Sequence, residues 1–197
     1  MNRHYDPHFQ KDIITIHPGE YYSSREDVYI ATVLGSCISI ALYDTRNKFG
    51  GLNHFMLPKS SKTEPLSSKD EGLFGNYAIE LLINDMLKNG ARHEDLVAKV
   101  FGGGNVLETN SPQLNMTGLN NINFTLSFLE TEKIPIMVND TGGIFPRKIY
   151  FHPLTSKVYL KRIQRSGYSL EQIKQREENY QKQLQLAEAA AGDITWF

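Results

Sequence analysis

The sequence predicts an α+β fold: a layered α/β/β sandwich of mixed sheets with two core helices, plus a C-terminal helical appendage. Three observations carry this reading. Short runs rich in β-branched residues recur along the chain, and some place an apolar residue at every second position. Only two segments before the C-terminal stretch have helical periodicity. That stretch itself is rich in Gln, Glu and Lys and weakly apolar.

In chain order, residues 1–11 are polar and read as a flexible N-terminal tail. Ile13 to Ile16 is a short apolar run before the turn at Pro18-Gly19. Val28 to Leu34 reads as a buried strand, and Gly35-Ser36 breaks it. Ile38, Ile40 and Leu42 then alternate with Ser39, Ala41 and Tyr43, the period of a strand with one apolar face. Gly50-Gly51 opens a strand over Leu52 to Leu57, which Pro58 stops. Lys59 to Glu71 reads as a loop.

Asn76 to Asn89 is predicted as an amphipathic helix with Tyr77, Leu81, Leu82 and Met86 on one side and Gly90 as its C-terminal cap. Val97 to Phe101 is a strand ending in Gly102-Gly103-Gly104. A second helix is expected from about Asn121 to Glu130, then a strand from Ile134 to Val138. Lys148 to Phe151 and Lys157 to Ile163 form a hairpin-type pair. Ser169 to Ala191 is a long helix with a capping box, Ser169 with Gln172, and reads as a solvated appendage. The expected organisation is a tail (1–11), one domain (12–165), and a C-terminal helix with an aromatic end (166–197).

The composition bounds function. A chain of 197 residues, 40% hydrophobic, can bury a real core in one domain. Its net charge of −1 and the lack of a Lys/Arg run argue against a nucleic-acid partner. One cysteine allows no internal disulfide and points to a reducing compartment. The start of the chain has no apolar core after a basic residue, so no signal peptide is expected. Ile30 to Tyr43 is too short and too polar to insert into a bilayer, so the protein reads as cytoplasmic. Scattered histidines beside one cysteine give no metal-ligand spacing, and no metal site is expected.

Cys37 follows the Gly-Ser corner and shares a strand face with Ser39, Ala41 and Tyr43, the less apolar side. It is a candidate nucleophile, if a nearby base can take its proton. From composition alone, a small buried hydrophobe is the more common reading of a lone cysteine. His54 is the best partner among the histidines, because it lies inside the apolar run Leu52–Leu57, where an imidazole is costly without a hydrogen bond. A satisfied core histidine is the alternative. A third group usually orients such an imidazole. Asn53 faces the opposite way from its neighbour; Thr32 and Ser39 are better placed. Gly102-Gly103-Gly104-Asn105 lacks the Lys-Ser/Thr of a phosphate loop. It reads either as a strand exit that admits substrate, with Gly103, Gly104 and Asn105 as candidate substrate contacts, or as a structural turn. Asp140-Thr-Gly-Gly143 reads as a turn.

The segments Thr32-Val-Leu-Gly-Ser-Cys37 and Gly50-Gly-Leu-Asn-His54-Phe-Met-Leu-Pro58 resemble those of the chemoreceptor glutamine deamidases, the CheD family. Cys37 and His54 lie 17 residues apart, as that family's nucleophile and base do. Further similar segments follow in order: Gly75 to Asn84, Lys99 to Asn105, Gly118 to Asn121, Asp140 to Gly143 and Arg147 to Tyr150. The resemblance spans residues 15–163. Asn120 departs from it, standing where arginine is common. The resemblance implies a layered α/β/β fold and no cofactor. It implies a protein-glutamine glutaminase that converts glutamines on the cytoplasmic helices of methyl-accepting chemotaxis receptors to glutamates and releases ammonia. Cys37 would be the nucleophile, His54 the base and Thr32 the orienting hydroxyl. Backbone N–H groups at Ser36 and Cys37 would hold the oxyanion. A CheC-type phosphatase is an implied partner where one exists. The alternatives are a catalytically weak module that only binds receptor or phosphatase, and a thiol amidase acting on a small metabolite. The Trp196-Phe197 end reads as a clasp onto the domain or as a docking motif.

Overall fold

The computed structural model describes residues 1–57, 68–105 and 112–163, and residues 171–173, 175–179 and 182 of a C-terminal helix. Ten strands build two five-stranded sheets. The first sheet has the order β1-β2-β4-β9-β10, from β1 (Asn2–Asp6), β2 (Lys11–Thr15), β4 (Tyr29–Leu34), β9 (Arg147–His152) and β10 (Lys157–Arg162). The second has the order β3-β6-β5-β7-β8, from β3 (Tyr21–Ser24), β6 (Phe49–Asn53), β5 (Ile38–Asp44), β7 (Leu96–Gly102) and β8 (Ile136–Thr141). Each is mixed, with one parallel pair: β2 with β4, and β7 with β8. The helices α1 (Ser68–Lys88) and α2 (Pro112–Thr131) pack on the second sheet. The result is the α/β/β sandwich that the pattern of strands and helices predicts.

Side-chain parity explains the layers. On β5 the even residues Ile38, Ile40 and Leu42 join Ile79, Leu82, Met86 and Leu129 in the helix–sheet core. Ala41 on the odd face, and Cys37 just before the strand in the same parity, enter the second core, between the sheets, with Ile30, Leu34, Ile149 and Phe151. Both faces of β5 are therefore buried, and the less apolar face that the sequence assigns to Cys37 looks into the inter-sheet layer. On β4 the same alternation sends Ile30, Thr32 and Leu34 inward, and Tyr29 and Ala31 to the outer face beside Phe9 and Tyr150.

Several boundaries differ from expectation, each for a physical reason. Residues 1–11 do not form a tail: Asn2–Asp6 pairs antiparallel with β2 as an edge strand, where polar side chains are tolerated on both faces. Helix α1 begins at Ser68, inside the stretch expected as a loop. Its buried face is Ile79, Leu82, Ile83 and Met86, whereas Tyr77 lies on the far side of the helix and is exposed. Gly90 (φ 88°) ends it as expected, with the Ala91 N–H donating to Met86 O and the Gly90 N–H to Leu87 O. The apolar run from Ile134 straddles a boundary: Ile134 fills the helix-side core, and β8 starts at Ile136 as an exposed edge. Ser169 and the Trp196-Phe197 end lie outside the described residues.

Candidate active site

The Gly35-Ser36 break is where the chain leaves one sheet and enters the other. Strand β4 ends at Leu34 in the first sheet, and β5 begins at Ile38 in the second, so Cys37 sits on the crossover. Other parts of the chain hold this corner. The Gly103 N–H donates to Cys37 O (2.8 Å) and the Gly104 N–H to Gly35 O (2.7 Å). Asn121, fully buried on α2, donates from Nδ2 to Ser36 O (2.8 Å) and accepts the Leu57 N–H at Oδ1 (2.9 Å). It thereby ties the Cys37 corner to the segment after β6 that carries His54.

The pairing register places His54. Ile38 and Phe55 exchange backbone hydrogen bonds of 2.9 Å each, in register with Ala41 opposite Leu52. Cys37 and His54 are therefore diagonal neighbours on one face of an antiparallel pair, the inter-sheet face. Thr32 reaches the same place from the first sheet. Its Oγ1 lies 2.9 Å from Ile16 O and 2.7 Å from His54 Nδ1. A carbonyl only accepts, so the single hydroxyl hydrogen goes to Ile16 O, and His54 Nδ1 must be the donor to Thr32. The lone pair of the neutral ring is then on Nε2, which is buried and has no hydrogen-bond partner among the described residues. Burial, with the positive field of His17 second, lowers the His54 pKa from 6.5 to about 3, so the ring is neutral at neutral pH.

Other predicted residues have different places. Ser39, weighed beside Thr32 as an orienting group, donates instead to Asn53 O at 2.5 Å. Asn53 points away from the inter-sheet layer: Oδ1 accepts the Ile40 N–H and Nδ2 donates to Ala78 O on α1. Gly103 and Gly104, read in sequence as candidate substrate contacts, are packed closely against other parts of the chain. A Cβ on Gly103 (φ 65°) would strike Ile122, one on Gly104 would lie 3.2 Å from Gly35 O, and Asn105 is exposed. Asp140 and Thr141, expected in a turn, instead end β8, and with Gly142 they lie around the buried Arg147 guanidinium, which donates to Asp140 Oδ1 (2.6 Å) and Asp140 O (2.5 Å). Among the described residues no cluster of His, Cys, Asp and Glu could hold a metal ion.

The C-terminal helix corrects the expectation of a solvated appendage. Ile173 and Glu177, one helical turn apart, are buried at 7% and 8% exposure. The Glu177 carboxylate lies on the Cys37 corner. Oε1 accepts from the backbone N–H groups of Ser36 (2.8 Å), Gly35 (3.1 Å) and Cys37 (3.4 Å), and Oε2 accepts from Ser36 Oγ (2.8 Å). Burial, and then the charge and hydrogen bonding of Glu177, push the Cys37 thiol well above its ordinary pKa. Burial likewise raises Glu177, against the pull of its hydrogen bonds to Ser36 and Cys37. Beside this contact remains a cavity of about 40 Å³ lined by Ile16, His17, Thr32, Val33, His54 and Glu177. It has room for a few waters. Sequence reasoning missed Glu177 and gave Asn121 no role, because neither stands near Cys37 or His54 in the chain.

Comparison with known proteins follows the same direction. Residues 56–162 match the family described as CheD chemotactic sensory transduction. A protein of Shewanella oneidensis named probable chemoreceptor glutamine deamidase CheD 1 is 43% identical over 196 residues, covering 100% of this chain and 93% of its own. One of Methylobacillus flagellatus named probable chemoreceptor glutamine deamidase CheD is 41% identical over 197 residues, covering 100% and 95%. One of Albidiferax ferrireducens named like the first is 45% identical over 174 residues, 88% of this chain and 71% of its own.

Proposed function

Because the chain belongs to the CheD family, we infer that it is a chemoreceptor glutamine deamidase, an amide hydrolase that turns receptor glutamines into glutamates. The observation that carries the chemistry is the Thr32–His54 hydrogen bond, which leaves the Nε2 lone pair on the face that His54 shares with Cys37.

In the mechanism we propose, His54 Nε2 takes the Cys37 proton as Sγ attacks the glutamine Cδ. Backbone N–H groups of Ser36 and Cys37, with that of Gly35, converge where the oxyanion would form. The tetrahedral adduct collapses with cleavage of the C–N bond, and the imidazolium returns its proton to the departing ammonia. Water, deprotonated by His54, then hydrolyses the thioester to glutamate and regenerates the thiol. The ring that deprotonates the thiol must carry positive charge briefly, and the Thr32 oxygen on Nδ1 both orients it and accepts from it. Such a base contributes about 10²–10⁴-fold to rate.

The receptor glutamines in this reading lie on cytoplasmic helices, so the chain acts in the cytoplasm. In keeping with this, no helix among the described residues is long and apolar enough to cross a membrane. A CheC-type phosphatase remains the partner that the family resemblance implies. The test is peptide mapping of a receptor cytoplasmic fragment after incubation with the protein. Glutamine-to-glutamate conversion that requires Cys37 is expected; fragments that stay unconverted with the intact protein would overturn the reading.

A further inference from the structure

We propose that the C-terminal helix is a product mimic bound in cis: Glu177 occupies the seat of the substrate side chain on the Cys37 corner and holds the enzyme off until a receptor helix displaces it. This rests on the deamidase reading for the identity of the seat, but the contact itself is independent of that reading.

Four donors converge on the Glu177 carboxylate, three of them the backbone N–H groups of Gly35, Ser36 and Cys37 on Oε1. A carboxylate oxygen in that cradle has the charge and hydrogen-bond demand of the oxyanion that forms from a glutamine carboxamide. Glutamate is also the product of the reaction. Glu177 therefore presents the product side chain to its own enzyme, from a helix, which is how the substrate is presented. Ile173, one turn earlier on the same face, anchors the segment against the domain.

The contact disables the nucleophile in two ways. It fills the seat, and it puts a negative carboxylate against a thiol that must become a thiolate, which raises the thiol pKa. His54 Nε2 meanwhile has no partner among the described residues, so the proposed base is in place with its lone pair unengaged. The chain is closed, and competition by a receptor helix opens it.

The mimicry has a chemical consequence. With glutamine at position 177 the tail becomes a substrate. Sγ of Cys37 bonds to Cδ, the C–N bond breaks, ammonia leaves with the proton from His54, and water releases glutamate and the thiol. E177Q should thus revert to the parent sequence by itself, at a rate independent of protein concentration.

Three measurements on the full chain test this. Alkylation of Cys37 by iodoacetamide should be faster in Glu177→Ala than in the parent. Initial deamidation of a receptor fragment should rise roughly 5- to 100-fold, the range of ordinary intramolecular coupling. Peptide mapping of Glu177→Gln should find glutamate at position 177, but not in a Cys37→Ala/Glu177→Gln double variant. Equal alkylation and equal or lower turnover in folded Glu177→Ala overturn the plug. A glutamine that persists at position 177 in a Glu177→Gln preparation active on receptor overturns the product mimicry. Faster alkylation with no deamidation, either of receptor or of the glutamine introduced by Glu177→Gln, leaves the plug standing and sinks the deamidase reading instead, so the two failures are distinguishable.

Discussion

Thr32 Oγ1 lies 2.7 Å from His54 Nδ1, a side-chain hydrogen bond that joins β4 of the first sheet to the segment after β6 of the second. Thr32 also donates to Ile16 O, so it can only accept from the imidazole. One hydroxyl thus decides which ring nitrogen is basic.

Thr32→Val should therefore lower kcat by about 10- to 100-fold, less than the ~10⁴-fold lost when a triad carboxylate is replaced with the wrong tautomer. KM should change little, because Thr32 touches His54, the proposed base, and not the proposed substrate seat. Thr32→Ser keeps the hydroxyl and should retain most activity. Steady-state kinetics on a receptor fragment check the split.

Cys37→Ala should abolish deamidation without unfolding the protein. The thiol is fully buried, so the change is not cost-free, but the volume lost is small and about 1 kcal/mol is expected. Cys37→Ala/His54→Ala should be scarcely worse than either single change, because members of one catalytic set are non-additive. Multiplicative losses would show separate roles.

Stability should fall in mild acid through His54. Its folded pKa of about 3 is below its ordinary 6.5. Above about pH 6.5 the ring is neutral folded and unfolded, and contributes no pH dependence. Between about 6.5 and 3 the unfolded chain binds a proton that the folded one refuses, so stability falls as pH falls, by roughly 3–5 kcal/mol in total. Denaturant midpoints measured across that window should show a flatter acid limb in His54→Gln, which cannot titrate there.

Asn121→Leu should destabilise by roughly 2–4 kcal/mol, leaving the buried Leu57 N–H and Ser36 C=O without their partner. It should also reduce kcat in protein that remains folded, since the backbone N–H groups proposed to hold the oxyanion lose their brace. A stability loss with kcat intact would limit Asn121 to the fold.

Much of this is legible in the residues. Alternation along Ile38–Tyr43, the Gly35-Ser36 break and the Gly90 cap are local, because a strand or helix end depends on neighbours in the chain. Local too is the oddity of an imidazole inside Leu52–Leu57. The amphipathic pattern puts Tyr77 on the wrong helix face, because one polar-tipped aromatic fits either side, and only packing on the second sheet chose Ile79. Asn2–Asp6 reads as a tail because an edge strand needs no apolar face, only a ladder to join.

By itself, then, the sequence determined most of the elements, the layered class, and the pair Cys37 and His54 as residue types able to do thiol chemistry. Only the tertiary structure decided that Thr32 reaches His54 from the other sheet, that Asn121 braces the corner, and that Glu177 sits on it. Those contacts join residues 22, 85 and 141 positions apart. Hydrogen-bond partners at such separations are chosen by how the sheets and the last helix dock, which no local pattern of residues encodes.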